Sequence, residues 1–316
     1  MSSAQSAAAA NAAAADAALP CAATASTTAL PAPDAVLAKA AHENFPVVPG
    51  FLPATLRADL TAIYGYARFV DDVGDETDAG VDERLRLLDL VDADLTRLFA
   101  GAEPALPPVR ALVAAVAAGR LPEEPFRRLI EANRLDQRVA SYETFDDLRH
   151  YCTLSADPVG RLVLASIGAA TPERIELSDR VCTGLQLVEH WQDVAEDRAR
   201  GRVYLPQADL ARFGVADADL TAGHASPALR SLLAFECARA YDLLGAGVPL
   251  VRSIHGRAKL AIAGFVAGGR AALHAVAGAD FDVLPGAPKP AKRRVAREAI
   301  AVLAGRQARP ERVGRA

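Results

Sequence analysis

The chain has 316 residues and a formal net charge of −4, with 51% hydrophobic, 23% charged and 5% aromatic residues. This length allows one large domain or two smaller ones, and the composition is that of a globular protein. The negative charge and the lack of an RNP-type motif or Cys/His finger spacing argue against nucleic-acid binding, and no apolar run reaches the roughly 18 residues of a membrane-spanning helix.

Residues 1–34 are rich in Ala, Ser, Thr and Pro and show no amphipathic period. We predict a disordered leader there, with a docking segment as the alternative. No Lys or Arg precedes its apolar stretch, so it does not resemble a secretory signal, and we expect a cytoplasmic protein. The four cysteines lie far apart without a CxxC pair, which favours free thiols over a zinc site or disulfides.

Helical periodicity dominates from Ala35 to about Val283, as in the repeat of Leu and Val residues between Leu85 and Leu98. Prolines separate most of the periodic segments, and alternating strand patterns are nearly absent. We predict one all-α domain over 35–286 with roughly eight to ten helices. Its further helical segments are 108–119, 126–140, 159–169, 176–199, 229–251 and 257–277.

Residues 287–316 form a basic tail, in which nine Lys and Arg against Glu298 and Glu311 give a charge of +7. A solvated terminal helix is one interpretation. The other is peripheral attraction to anionic lipid, to which each basic residue would add roughly 1 kcal/mol.

The first of two acidic segments is Asp71-Asp72-Val73-Gly74-Asp75-Glu76, which follows an apolar stretch. On a helix, Asp71 and Asp75 share one face, and so do Asp72 and Glu76. Like charges four residues apart repel each other. The segment is therefore either a surface acidic patch or a site that awaits a cation.

The second acidic segment places Glu189, Asp193 and Asp197 at intervals of four residues, so that they form one stripe on a helix. Apolar neighbours bury part of this helix, and a half-buried carboxylate stripe is costly unless cations neutralise it. Oxygen ligands favour Mg²⁺ or Mn²⁺. Two such faces suit the walls of one cavity for a substrate diphosphate, with nearby arginines for the remaining charge: Arg68, Arg198, Arg200 and Arg202.

These segments resemble the squalene/phytoene synthase family of head-to-head prenyl transferases over about 40–285. Both acidic segments carry the resemblance, together with four shorter stretches: Glu43-Asn44-Phe45-Pro46-Val47, Tyr151-Cys152, Ser155-Ala156-Asp157-Pro158-Val159-Gly160 and Phe281-Asp282-Val283-Leu284. The resemblance implies a single-domain helical bundle of the class I isoprenoid synthase fold around a central cavity. It also implies Mg²⁺, with Mn²⁺ possible, a prenyl diphosphate substrate and no nicotinamide.

Within the family the chain is most similar to hydroxysqualene-forming enzymes of the hopanoid pathway. That similarity implies conversion of presqualene diphosphate to hydroxysqualene, with a sister enzyme as a possible source of the substrate. The implied catalytic residues are Asp71, Asp72, Asp75, Asp193 and Asp197, and the implied metal ligands are these five with Glu76 and Glu189. The implied substrate-binding residues are Phe45, Tyr64, Arg68, Tyr151, Ser155, Gln186, Arg202 and Tyr204.

One position departs from the family pattern, because Glu189 stands where members usually carry Asn. This departure keeps open a squalene- or phytoene-type synthase that condenses two prenyl diphosphates. A non-catalytic scaffold relative is a minor alternative, since both acidic segments are intact. We interpret His190 as a packing or hydrogen-bonding residue, and the aromatic candidates for facing a cation are Phe45, Tyr64, Phe69, Tyr151 and Trp191.

Overall fold

The computed structural model of the chain describes residues 30–32, 38, 48–75 and 79–306. Apart from Leu30, the described residues belong to one compact unit, Pro31–Ala316. Within these ranges every regular element is a helix, and one isolated parallel bridge joins Ser141 to Val203. The all-α prediction is confirmed. The predicted leader lies almost entirely outside the described residues.

Fourteen α-helices and one 3₁₀ helix lie in the described residues. The first seven are α1 (Ala54–Asp75), α2 (Val81–Phe99), α3 (Pro107–Arg110), α4 (Val113–Ala117), α5 (Glu124–Asp136), α6 (Phe145–Ser155) and α7 (Asp157–Ser166). The others are α8 (Pro172–Gln192), α9 (Val194–Ala199), α10 (Gln207–Phe213), the 3₁₀ helix Asp217–Thr221, α11 (Pro227–Gly247), α12 (Pro249–Ser253), α13 (Gly256–Gly278) and α14 (Lys292–Leu303).

Helix α8 lies at the centre of the bundle and packs against α7, α11 and α13. Glycines make this close packing possible. A methyl group on Gly247 of α11 would overlap Val181, and one on Gly269 of α13 would stand 2.6 Å from Leu185. Side chains of α8 such as Leu187 and Trp191 are fully buried in the resulting core.

Helix α13 is long and apolar enough to cross a membrane by length and composition, with a mean hydropathy of 1.5 over its most apolar window. Of that window, 72% is buried inside the protein, where Val266, Ala271 and Leu273 have no exposed surface. Its apolar character is therefore that of a core helix.

The structure divides several segments that the periodicity predicted as single helices. The segment 176–199 is interrupted at Asp193, whose backbone (φ −102°, ψ 18°) ends α8 before α9 begins. Pro249 separates α11 from α12, because proline cannot donate the next helical hydrogen bond. These divisions account for part of the excess of the described helices over the eight to ten predicted.

Helix α6 was missed by the periodicity, although its first turn is strongly encoded. The side chain of Thr144 accepts a hydrogen bond from the backbone N–H of Asp147, whose carboxylate accepts one from the N–H of Thr144. This reciprocal capping box satisfies two N–H groups that a helix end otherwise leaves unpaired. The helix carries Tyr151 toward the centre of the molecule, where that residue is 5% exposed.

The basic tail begins with a packed helix. Helix α14 lies against α13, with Val302 fully buried and the carboxylate of Glu298 3.2 Å from Nε2 of His274. The division of the chain at residues 286 and 287 stays a prediction. Among the described cysteines, Cys152, Cys182 and Cys237 are free thiols, as expected.

Candidate active site

A cavity of about 260 Å³ lies between α1, α7, α8 and α13. Most of its wall is apolar, with contributions from Leu60, Ile63, Val163, Leu185, Ile262 and Phe265. Its polar lining includes six of the residues predicted from the sequence: Tyr64, Arg68, Asp71, Ser155, Gln186 and Glu189. The structure thus brings one residue of each acidic segment, Asp71 and Glu189, to the same cavity.

The first acidic segment forms the C-terminal turns of α1, and glycine lets α5 approach it closely. A methyl group on Gly74 would overlap the side-chain oxygen of Asn133 on α5. With only hydrogen at this position, Asn133 reaches across and donates from Nδ2 to Asp71 at 2.9 Å. Gln137 donates to the carbonyl oxygen of Gly74 at 3.0 Å. The glycine within the acidic segment therefore allows α1 and α5 to pack closely at this point.

Asp71 is the acidic residue of α1 that faces the cavity. Burial raises the pKa of its carboxyl group to about 6, against the lowering effect of the hydrogen bond from Asn133. The neighbouring charges of Asp75 and Asp72 raise it further, while Arg68 lowers it. Asp71 therefore loses its proton only near neutral pH, and an added cation would favour the charged form.

Each of the other two described carboxylates of this segment has an arginine partner. Arg68 donates from Nε to Asp72 at 2.9 Å, one helical turn away. Nη2 of Arg202 lies 2.7 Å from Asp75, and the Arg202 side chain is only 13% exposed. Arg202 follows the second acidic segment in the chain, so this ion pair directly connects the two segments.

The second acidic segment crosses the break between α8 and α9. Asp193 stands at the break itself, and its carbonyl oxygen accepts from the backbone N–H of Asp197 at 2.8 Å. Burial, followed by the charge of Asp193, raises the pKa of Asp197 to about 7, although Arg200 and Arg202 lower it. Gly201 then ends α9 with a φ of +80°, a conformation that suits glycine, and places Arg202 beside Asp75.

Four rings pack beside the second segment, and none of them belongs to the cavity wall. His190 stacks on Tyr204 with ring centroids 3.7 Å apart, and Tyr204 also contacts Tyr142 and Tyr151. Burial and the nearby Arg202 lower the pKa of His190 to about 3, so its ring is neutral. Nε2 of Gln186 lies 3.3 Å from Nε2 of His190. The interpretation of His190 as a packing and hydrogen-bonding residue agrees with these contacts.

Tyr151 connects this ring cluster to a buried carboxyl group on α5. Its hydroxyl donates to Asp136 at 2.7 Å. Burial raises the pKa of Asp136 to about 7, while Arg202 and the hydrogen bond from Tyr151 lower it. Tyr151, Arg202, Tyr204 and Asp197 thus lie around one another next to the cavity rather than in its wall.

The other residues predicted for the site lie in different places. Phe45 and Glu76 lie outside the described residues. Among the candidate rings, Tyr64 lines the cavity, whereas Phe69 and Trp191 are core residues with 1% and 0% exposure. Sequence reasoning missed the lining ring of Phe265 and the contact from Asn133. The only signal for Asn133 was its place one turn before Gln137, as a polar residue on the buried side of α5.

The acidic side chains fit a hard cation by their chemistry. Asp71 and Asp197 are desolvated carboxyl groups with raised pKa values, which a cation would relieve. In the described part of the chain, however, no three His, Cys, Asp or Glu side chains converge on one point. Mg²⁺ at this site would therefore draw further oxygen ligands from a substrate, as is usual where it binds phosphates.

Comparisons with known proteins agree with this arrangement. Residues 38–297 match the sequence profile of the family described as squalene/phytoene synthase. A hydroxysqualene synthase of Rhodopseudomonas palustris is 36% identical over 213 residues, which are 67% of this chain and 71% of the relative. A phytoene synthase of Arthrospira platensis is 34% identical, with 62% of this chain and 68% of the relative covered.

The fold is also similar to that of a solved relative. A crystal structure described as the squalene synthase HpnC of Alicyclobacillus acidocaldarius superposes with a TM-score of 0.70 and 43% sequence identity. The similarity covers 78% of this chain and 92% of that structure. The apolar cavity and the two acidic segments both lie within the range of the family match.

Proposed function

The chain belongs to the squalene/phytoene synthase family of isoprenoid synthases, which act on prenyl diphosphates, and we propose that it converts presqualene diphosphate to hydroxysqualene. The observation that carries the proposal is an apolar cavity whose wall includes one carboxyl group of each acidic segment, Asp71 and Glu189. The choice of reaction rests on the hydroxysqualene synthases among its relatives, at 36% and 32% identity.

The cavity suits a substrate with long hydrocarbon arms and a charged head. Leu60, Val163 and Ile262 offer only apolar surface to the arms. The C–O bond to the diphosphate breaks with its electron pair on the leaving group, and the cyclopropyl cation rearranges. The apolar wall excludes bulk water, so that one water adds to the final cation and a proton is lost.

The diphosphate head of the substrate would lie against the charged side chains of the cavity. Arg68 faces the cavity, where its side chain is 33% exposed and its positive charge would attract phosphate oxygens. Arg202 holds Asp75 in place and carries positive charge close to Asp136. Tyr64 and Phe265 present rings to the cavity, and ring faces stabilise a cation.

Mg²⁺, or Mn²⁺ in its place, is part of the proposal. The residues that would hold it are Asp71, Asp72 and Asp75 on α1, with Asp193 and Asp197 on the second segment, and Glu76 and Glu189 as further candidates. The ion would neutralise the diphosphate and make it a better leaving group. No nicotinamide is expected, because the proposed reaction involves no reduction.

A second candidate function is the condensation of two prenyl diphosphates, such as farnesyl diphosphate. Two observations favour it. Glu189, which departs from the pattern of the family, lies in the cavity wall, and the phytoene synthase relative is nearly as similar as the hydroxysqualene synthase. In this reaction the same carboxylates would serve two diphosphate groups in succession.

The experiment that separates these functions uses the purified protein with Mg²⁺ and without NADPH. Presqualene diphosphate and farnesyl diphosphate are supplied in separate reactions, and the lipid products are identified by mass spectrometry. Hydroxysqualene from presqualene diphosphate alone supports the first function. Geranylgeranyl diphosphate is supplied in a third reaction, since the condensing function includes phytoene-type synthesis. Turnover of farnesyl or geranylgeranyl diphosphate supports the condensing function, and no product from any of the three substrates contradicts both.

We also propose a cytoplasmic location with peripheral contact between the basic tail, 287–316, and anionic membrane. The support is the charge of the tail, +7 in sequence. A sister synthase that makes presqualene diphosphate would supply the substrate. Sedimentation with anionic vesicles at low and high salt tests the membrane contact, and salt-insensitive or absent binding contradicts it.

A further inference from the structure

A second cavity, which we name the basic cleft, lies between α13 and the chain around α14. It has a volume of about 380 Å³. Helix α13 contributes Ala271, His274 and Ala275, and the opposite wall consists of Pro288, Lys289, Ala291, Arg293, Arg294 and Arg297. Four cations therefore line a concave surface that is separate from the apolar cavity.

The wall that carries these cations is fixed at two points. Gln192, the last residue of α8, donates to the carbonyl oxygen of Pro288 at 2.6 Å, and this places Lys289. On α14, Glu298 lies 3.2 Å from His274 and 3.7 Å from Arg294. Glu298 is 7% exposed and faces the packed side of α14, so its carboxylate contacts His274 and Arg294 beneath the cleft and does not line it.

The outer cations of the cleft differ from most arginines of this protein. Within residues 79–306, Lys289, Arg293 and Arg297 form no hydrogen bond or ion pair with a side chain or carbonyl group. Many other arginines of the described residues form ion pairs with a carboxylate: Arg68–Asp72, Arg120–Asp59, Arg161–Asp179, Arg198–Asp217 and Arg230–Asp282.

Such a concentration of like charge has an electrostatic cost. Arg293 and Arg297 are one helical turn apart, and like charges at this spacing repel each other. No carboxylate stands among the described residues that line the cleft. An anion with two or more negative charges would offset the repulsion, and the forked guanidinium group matches phosphate oxygens in particular.

We propose that the basic cleft binds a phosphate group, either on free diphosphate or on the headgroup of a lipid. Lys289, Arg293, Arg294 and Arg297 supply the charge, and His274 forms part of the floor. This site goes beyond the proposed prenyl diphosphate reaction and does not depend on it, because the residues that line it are separate from those of the apolar cavity.

The test compares two double variants that remove the same charge. Arg293→Gln with Arg297→Gln changes the cleft, whereas Lys292→Gln with Arg149→Gln removes two exposed cations that do not line it. Binding of inorganic diphosphate is measured by calorimetry in buffer from which a chelating resin has removed divalent cations, which prevents Mg²⁺-dependent binding elsewhere. In a second arm, flotation is measured with phosphatidylcholine vesicles, with and without phosphatidic acid.

We expect the cleft variant to weaken binding about tenfold or more. The control variant should weaken it less, by about fivefold at most, because only one of its two cations, Lys292, belongs to the basic tail. Weakening in calorimetry alone identifies free diphosphate as the ligand. Weakening with phosphatidic acid vesicles identifies a lipid headgroup. Equal binding by the two variants in both arms, or no binding by the parent protein, overturns the proposal.

Turnover of prenyl diphosphate by the same variants separates this proposal from the proposed function. Arg293 and Arg297 do not line the apolar cavity, so turnover is expected to stay within about twofold of the parent. If the parent protein turns over none of the three substrates, the binding measurements still decide whether the cleft takes a phosphate group.

Discussion

The two acidic segments of the site are held in different ways. The described carboxylates of the first segment have a partner each: Asn133 for Asp71, Arg68 for Asp72 and Arg202 for Asp75. The second segment lies across a helix break, and the imidazole ring of the adjacent His190 is neutral, so it offers no positive charge. Asp197 lies 3.9 Å from that ring, and burial raises its pKa to about 7.

This difference indicates that the two segments are ordered and charged differently before a ligand binds. The first segment is already ordered by hydrogen bonds and ion pairs from α1, α5 and the segment after α9. Both segments keep electrostatic strain, because Asp71 and Asp197 are buried carboxyl groups close to other carboxylates, but the pKa is raised to about 7 at Asp197 and only to about 6 at Asp71. A cation shared by the two segments would relieve the second more than the first.

The largest expected effect comes from Asp71→Asn, which removes the cavity-facing charge of the first segment. We expect turnover to fall by at least about 100-fold, because charge that stabilises a leaving group is lost. The thermal midpoint should stay equal or rise, since a desolvated carboxyl group near Asp72 and Asp75 becomes neutral. Steady-state kinetics and a melting curve measure the two. Full activity in a folded variant would contradict the proposed role of Asp71.

The next effect comes from Arg202→Gln, which breaks the connection between the segments. We expect turnover to fall about tenfold and the free energy of unfolding to fall by about 1–3 kcal/mol, because Asp75 keeps its charge without its partner. Arg198→Gln is a matched control, since Arg198 pairs with the exposed Asp217 at 2.7 Å. Equal effects of the two changes would show that the connection is not important.

A buried carboxyl group outside both segments offers a further test of how burial affects carboxyl groups in this protein. Glu236 is fully buried, and its pKa is raised to about 8, chiefly by burial, while Arg239 at 3.0 Å lowers it. The folded protein therefore holds this proton after the unfolded chain has lost it. The free energy of unfolding should fall between about pH 5 and pH 8, by a few kcal/mol at most.

Glu236→Gln tests this pH dependence. Glutamine cannot ionise, so the variant should lose less stability than the parent as the pH rises across that window. Chemical denaturation at several pH values measures the difference, and Mg²⁺-dependent turnover is expected to be unchanged. Parallel stability profiles for the two proteins would mean that Glu236 is not protonated in the folded state.

The smallest effect is expected from Glu189→Asn, which restores the residue that the family usually carries. Removal of one negative charge next to a cation should raise the Mg²⁺ concentration for half-maximal activity about fivefold. Titration with Mg²⁺ at a fixed substrate concentration measures it. An unchanged requirement would place Glu189 outside the metal site and leave it as a wall residue of the cavity.

Much of the fold could be predicted because helices are encoded locally. The repeat from Leu85 to Leu98 lies within Val81–Phe99, and the periodic segment 257–277 lies within Gly256–Gly278. The error at 176–199 has a local cause as well. Periodicity continues through Asp193, and only the backbone of this one residue departs from the helix.

The candidate site could be predicted only in part. Spacing and family resemblance indicated Asp71, Gln186 and Glu189, which do line one cavity. The hydrogen bond from Asn133 to Asp71 and the ring of Phe265 were not indicated. Both depend on helices that pack together from distant parts of the chain, and periodicity reports which face is buried but not what that face meets.

Local patterns in the sequence were enough to predict the helical class, the positions of most helices and the two acidic segments, because each follows from residues within a few turns of one another. Three contacts between distant parts of the chain became visible only in the folded protein: Arg202 pairs with Asp75, Tyr151 donates to Asp136 beside the cavity, and the first basic residues of the tail line a cleft on α13. Such contacts arise from how helix surfaces fit together, and residues such as Gly74 set that fit through the side chains they lack.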